Sequence, residues 1–318
     1  MTRLGLIFLP SDASHAVDLL ERADRAGVRT AWLEMNAVGL DPFPLLTAAA
    51  ARTERIGFGT AILPAFSRHP VALATQALAL EGLAPGRLRL GIGAGNTARM
   101  AAAFGHPGDQ ALARLREYLQ VLRPILHDGE VRHDGRFYSA DVSIADPPGT
   151  PVLLSALGPQ AYALAGELSD GALSWICPID YLVDVAAPAL ARGAAAAGRP
   201  TPPLIAHVPV AICDADRRAE VREAARRDLS HYARVPVFAR MLAAAGHPVV
   251  DGAVPDDLLD ELVVVGDEAE VTARLASILE RPIDEVMVSL LPETHDRDEE
   301  DRLLTVLGSA FGADGAGG

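Results

Sequence analysis

The feature that most restricts the fold of this chain is an even alternation of short apolar segments with amphipathic ones, running from Leu4 to Phe311. The apolar segments are Leu4 to Phe8, Thr30 to Glu34, Arg55 to Leu63, Leu88 to Gly93, Val152 to Leu157, Ala172 to Ile176, Ile205 to Ile212 and Glu285 to Leu290. They show little polar–apolar alternation, the pattern of parallel strands covered on both faces. The segments between them carry apolar residues at helical spacing, as with Val17, Leu20 and Ala23 in His15 to Ala26, which Gly27 stops. Further helices are predicted over 43–52, 70–82, 111–126, 159–168, 181–197, from Arg217 onward, and over 268–280 and 297–311. Pro70 falls near a first turn, where a missing N–H costs nothing. Eight strands and at least eight helices in 318 residues predict a closed α/β architecture, the (β/α)8 TIM barrel. A doubly wound open sheet is the rival. The even run of units from end to end favours the barrel. No composition shift marks an internal boundary, so 1–312 reads as a single domain and 313–318 as a flexible tail.

Two stretches break the rhythm. Gly129 to Gly149, an insertion after strand four, contains Glu130-Val-Arg-His-Asp-Gly-Arg-Phe-Tyr138, which predicts a hairpin around Asp134-Gly135. Ala215 to Leu262, between strands seven and eight, predicts two helices and a connection from Gly246 to Pro255. This long helical segment is expected to cover the pocket and select the substrate.

Composition narrows the possible partners. With 42 acidic against 28 basic residues, the net charge of −14 argues against nonspecific nucleic-acid binding, which needs a basic footprint. No apolar run approaches the ~20 residues of a membrane span. Cys177 and Cys213 cannot build a disulfide framework, and a reducing cytoplasm is the simple expectation. The nine histidines include no HExxH, and His127 and His133 lie in a polar loop, so no metal site is expected.

In α/β folds of this kind, ligands bind at the C-terminal ends of the strands. Gly91-Ile-Gly93-Ala94-Gly95-Asn96 ends strand four, where glycines let backbone N–H groups approach a ligand; a tight turn explains them equally well. Ser155-Ala156-Leu157-Gly158-Pro159-Gln160 joins strand five to its helix. The free N–H groups of that helix start suit a phosphate, or the segment is an ordinary turn. After strand three, Ser67 in Phe66-Ser-Arg-His-Pro70 is placed to cap the next helix. Trp175, ending strand six, lines the pocket or the barrel edge.

Three segments together resemble the bacterial luciferase-like superfamily. They are Thr60-Ala-Ile-Leu-Pro-Ala-Phe-Ser-Arg-His-Pro70, Leu83-Ala-Pro-Gly-Arg-Leu-Arg-Leu-Gly-Ile-Gly-Ala-Gly-Asn96, and Val152-Leu-Leu-Ser-Ala-Leu-Gly-Pro159 with Ala165-Gly-Glu-Leu-Ser-Asp-Gly171. Within the superfamily they are most similar to the branch that uses coenzyme F420, a deazaflavin. The resemblance covers Leu4 to about Trp175, and the last strand more loosely. It implies a barrel enzyme, a homodimer, that transfers a hydride between the deazaflavin and a small organic substrate. It places the phosphate end of the cofactor over Gly93, Ala94, Gly95 and Asn96, and over Ser155, Ala156, Leu157, Gly158, Pro159 and Gln160. It also implies a non-proline cis peptide at Ala61–Ile62, behind the ring.

One departure bears on catalysis. Dehydrogenases of this family carry an acidic residue followed by His just after strand two. Here Trp32-Leu-Glu34-Met35-Asn36 puts Asn36 at the His position. An amide orients a substrate by hydrogen bonding but does not act as a general acid or base. Glu34 takes that role if the strand end is shifted. A reductase is then favoured over a sugar-phosphate or alcohol dehydrogenase. An FMN-dependent monooxygenase and a non-catalytic flavin-binding barrel stand as alternatives.

Overall fold

The computed structural model describes residues 3–105, 110–291 and 296–309. Eight strands, β1 (Leu4–Phe8), β2 (Thr30–Leu33), β3 (Gly57–Thr60), β4 (Leu88–Gly93), β5 (Val152–Ser155), β6 (Ala172–Leu173), β7 (Leu204–Ile212) and β8 (Glu285–Leu290), pair in parallel in chain order. β8 pairs back onto β1 through Leu4↔Val286 to Leu6↔Val288, which closes the TIM barrel.

Closure divides the core into two parts. Residues facing outward, such as Leu6, Leu33, Leu90 and Leu154, pack against the surrounding helices. Inside, Ile7, Trp32, Ala61, Leu153, Leu173, Ile205 and Met287 form a separate layer, drawn from seven of the eight strands or their ends. Below that layer, Arg89 donates from both Nη atoms to the Glu285 carboxylate at 2.7 Å. Trp32 Nε1 also donates to Glu285, and the Arg89 guanidinium lies 4.3 Å from the Trp32 ring centroid. A charged, hydrogen-bonded plug therefore fills the N-terminal end of the barrel, leaving the opposite mouth for ligand.

The structure departs from the sequence pattern in several places. The third strand stops at Thr60 rather than Leu63, and pairing with β4 resumes at Leu63–Pro64. Here the Thr60 hydroxyl donates to the Gly91 carbonyl and accepts from the Gly91 N–H, so a side chain replaces the ladder. The sixth strand ends at Leu173 rather than Ile176, because Ile176 adopts φ +48° and turns the chain. A helix over Thr97–Phe104 buries only Met100, so it carries no periodic signature. A short strand, Val264–Gly266, extends the sheet beside the end of β7. Within 215–262 three helices form rather than two, Arg218–Ala233, Pro236–Ala244 and Asp256–Leu262, and the expected helix Glu268–Leu279 follows them before β8. Phe311 and the tail 313–318 lie outside the described residues.

The insertion is the expected hairpin, Glu130–Asp134 paired with Ser139–Ser143, but its loop runs from Gly135 to Tyr138. The Glu117 carboxylate, on the helix Ala111–His127, accepts the N–H groups of Arg136, Phe137 and Tyr138 and so shapes the wider turn. A Cβ on Gly135 would run into that carboxylate and into His133 Nε2, so a larger residue there displaces the Glu117 side chain from the turn it shapes.

Candidate active site

Five of the residues singled out above converge at the C-terminal mouth. The Ala61–Ile62 peptide bond is cis. Ala61 belongs to the inner layer, and Ile62 and Trp175 pack on top of it. Gly93 faces this group: a Cβ placed on it would lie 3.0 Å from Ser155 Cβ and 3.2 Å from Ile62 Cδ1. Any other residue would crowd the junction of strands three, four and five.

The two glycine-containing turns differ in how their helices begin. Asn96 caps the helix Thr97–Phe104, its side chain accepting from Arg99 N at 3.1 Å, which leaves its amide partly committed. Gly158 caps the helix Pro159–Leu168 with no side-chain hydrogen bond. Its carbonyl takes the N–H groups of Ala161 and Tyr162, and Pro159 has none to give, so Gln160 supplies the open N–H of the first turn. The turn is held from behind: the Tyr181 hydroxyl donates to the Leu157 carbonyl at 2.8 Å. Burial pushes that phenol up to about 12, so it remains a donor at neutral pH. Ala94 and Leu157 are half-buried, whereas Gly95, Asn96, Pro159 and Gln160 are exposed along the rim.

The residues after β2 sit less securely. Glu34 is half-buried and its backbone N–H donates to the Phe8 carbonyl, continuing the β1–β2 pairing one step. Asn36 is exposed in the connection to the helix Pro42–Ala50, beside Gly39. Ser67 does not cap the helix Pro70–Leu83. Residues 65–67 form a 3-10 turn in which Ser67 donates to the Pro64 carbonyl, and His69 Nδ1 caps instead, accepting from Val71 N.

Sequence reasoning missed a polar group in the same layer. His207 lies in the middle of β7, 3% exposed, and its ring stacks on Trp175 with centroids 3.8 Å apart and planes 9° from parallel. Nε2 lies 2.9 Å from Ser289 Oγ on β8, and the His207 N–H donates to Ser174 Oγ. Nδ1 is buried with no hydrogen-bond partner. Burial pushes the imidazole down to about 3, so the ring is neutral. The only available signal was a histidine at an inward position of an otherwise apolar strand.

A sequence model of luciferase-like monooxygenases matches residues 7–285. An uncharacterised protein of Mycobacterium tuberculosis is 28% identical over 312 residues, covering 88% of this chain and 91% of its own length. An F420-dependent glucose-6-phosphate dehydrogenase of Beutenbergia cavernae is 37% identical over 179 residues, covering 53% of this chain and 52% of its own. Among solved structures, the coenzyme F420-dependent tetrahydromethanopterin reductase of Methanopyrus kandleri superposes with a TM-score of 0.80 at 22% identity, covering 97% of this chain and 98% of that one. The FMN-bound oxygenating constituent of 3,6-diketocamphane monooxygenase from Pseudomonas putida does so with a TM-score of 0.74 at 21% identity, over 98% and 97%. At these identities the structural likeness shows the fold, while the sequence match extends through nearly all of the barrel. The chain belongs to the luciferase-like monooxygenase family.

Proposed function

We propose that the protein is an F420-dependent oxidoreductase that moves a hydride between the deazaflavin and a small organic substrate. The observation that carries this reading is the mouth itself, where Ile62, Gly93, Ser155 and Trp175 come together beside a helix start with no side-chain cap. In this reading a flat ring lies against that apolar group, and a phosphate lies at the helix start, where Gln160 N–H and the positive end of the helix dipole face it. In this reading Gly93, Ala94, Gly95 and Asn96 carry the near side of the cofactor, and Ser155 to Gln160 its phosphate end. When bound, the deazaflavin supplies a hydride acceptor and donor at C5. The chain's own share is to orient the two reactants and to exclude water.

With Asn36 exposed, Glu34 is the better placed candidate for handling a proton at the end of β2. A carbonyl or alkene reduction places the lightest demand on such a group, so a reductase fits best. The half-length likeness to an F420-dependent dehydrogenase supports the choice of deazaflavin over flavin. The segment between β7 and β8 is assigned to substrate selection, and the active unit to a cytoplasmic homodimer.

An FMN-dependent monooxygenase is the second reading, supported by the whole-chain superposition on an FMN enzyme. Titration of the purified protein with F420 and with FMN, followed by cofactor fluorescence, separates the two. F420 is expected to bind at least about tenfold more tightly, a difference of ~1.4 kcal/mol. Tight FMN binding with no response to F420 would overturn the proposal.

A further inference from the structure

We propose that His207 is a positioning residue that fixes the Trp175 indole as a rigid wall of the cofactor site, through its ring stack on one side and its grip on Ser289 on the other. The inference rests on the reading that the barrel mouth holds a deazaflavin or flavin ring.

The argument starts from the backbone around Trp175. The next residue, Ile176, adopts φ +48°. A β-branched residue rarely enters this left-handed region, and when it does the surrounding structure has to enforce it. The flanking hydrogen bonds provide that enforcement. Ser174 N donates to the Ile205 carbonyl at 2.9 Å, and the Cys177 thiol donates to the Trp175 carbonyl at 3.5 Å. The chain thus turns out of the sheet immediately after presenting the indole to the mouth. Backbone alone does not fix the ring plane, because the indole still rotates about its own side-chain bonds.

His207 fixes that plane. A centroid separation of 3.8 Å at 9° lays one face of the indole flat against the imidazole, and the half-buried Trp175 keeps its other surfaces for the mouth group it packs on. The imidazole is itself held in plane by Ser289, across the β7–β8 pair. An aliphatic residue would fill the same space with no planar face to stack on. The buried, unpartnered Nδ1 points the same way: a polar ring is retained at a cost, beside a layer of otherwise apolar side chains. What the ring supplies here is a flat, oriented surface.

The chain has two tryptophans, so the emission of Trp175 is obtained as the difference between the wild-type protein and Trp175→Phe. Trp32 is fully buried in the barrel floor and serves as a constant background. The test compares His207→Leu, His207→Phe and Ser289→Ala in the full chain. It reads Trp175 emission and anisotropy without ligand, and F420 affinity by deazaflavin fluorescence. His207→Leu is expected to red-shift the emission, lower its anisotropy and weaken F420 binding about tenfold, the scale of one lost aromatic pair. His207→Phe keeps a planar face and is expected to recover both readouts to within roughly threefold. Ser289→Ala, which frees the imidazole, is expected to fall between them.

A His207→Leu protein that folds but keeps wild-type emission and F420 affinity overturns the proposal. So does a His207→Phe protein that behaves no better than His207→Leu. If His207→Leu does not fold, Ser289→Ala decides, and unchanged emission in that variant overturns the proposal. If the wild-type protein binds neither F420 nor FMN, the functional reading fails on its own, and the ligand-free emission and anisotropy still decide whether His207 holds the indole.

Discussion

At the scale of single residues, His207 also makes a prediction about pH. Its imidazole is pushed down to about 3 by burial, while in the unfolded chain it titrates near the usual ~6.5. Between those values the unfolded chain binds a proton that the native state refuses. Stability is therefore complete above the unfolded value and falls as pH drops below it. At about 1.4 kcal/mol per pH unit, the loss from this group between pH 7 and pH 5 is about 2 kcal/mol. The carboxylates that the fold holds low, such as Asp24 with three backbone N–H donors and Asp170 beside His127, lose their contribution only at more acid pH. Urea denaturation of the wild type and of His207→Phe at pH 7 and pH 5 checks this: the drop specific to the wild type should be absent from the variant. The same residue shows where sequence legibility ended. Gly93, Ser155 and Trp175 stood out because they follow strands, where ligands gather. The left-handed turn at Ile176 gave no sign, since nothing in a β-branched residue announces positive φ. Nor did the sequence reveal which residue Trp175 leans on, because His207 comes from a strand 32 positions away.

At the scale of elements, short-range chemistry was readable and long-range support was not. Asp41 before Pro42 begins a helix and Gly27 after Ala26 ends one, as their local chemistry dictates. The Asp134-Gly135 signal located the hairpin, but Glu117 on the preceding helix decided the length of its loop. The turn after β5 follows the same logic. Gly158-Pro159 foretold a bare helix start, whereas the Tyr181 hydroxyl that holds Leu157 comes from beyond the next strand. The chain there passes through a π-helical turn, Leu182–Ala186, an irregularity often found near functional sites. Tyr181→Phe removes one hydrogen bond and keeps the ring. Loss of a neutral hydrogen bond costs about 1 kcal/mol. If the turn carries the phosphate end of the cofactor, F420 affinity should fall about fivefold with little change in kcat. An unchanged Kd would show that the turn holds its shape without Tyr181.

At the scale of the whole molecule, the barrel was legible because eight buried strands leave few other solutions. How its two ends are joined was not. β1 pairs with β8, and outside them the first helix, Ala13–Ala26, packs on the last, Arg297–Ser309. Arg22 is the fastener. It is 7% exposed, donates to Glu300 at 2.7 Å and to Asp301 at 2.6 Å, and also reaches the Arg297 carbonyl. Glu300 is 5% exposed, so removing the guanidinium leaves a buried carboxylate short of its main partner. His15 Nε2 stays 2.8 Å from the other oxygen of that carboxylate. Breaking one side of a buried pair costs more than the pair contributes, and about 3 kcal/mol is expected for Arg22→Met. Because β1 and β8 are neighbours in a closed sheet, the loss should reach the entire barrel as a single transition. The urea midpoint should then fall with an unchanged slope. The proposed cofactor site lies at the C-terminal ends of the strands, and no contact described joins it to the helix pair. Cofactor affinity at 25 °C should accordingly stay within about twofold of wild type, as for distant sites without shared partners. A shallower slope, or a second transition, would mean that the terminal helices come apart before the barrel opens.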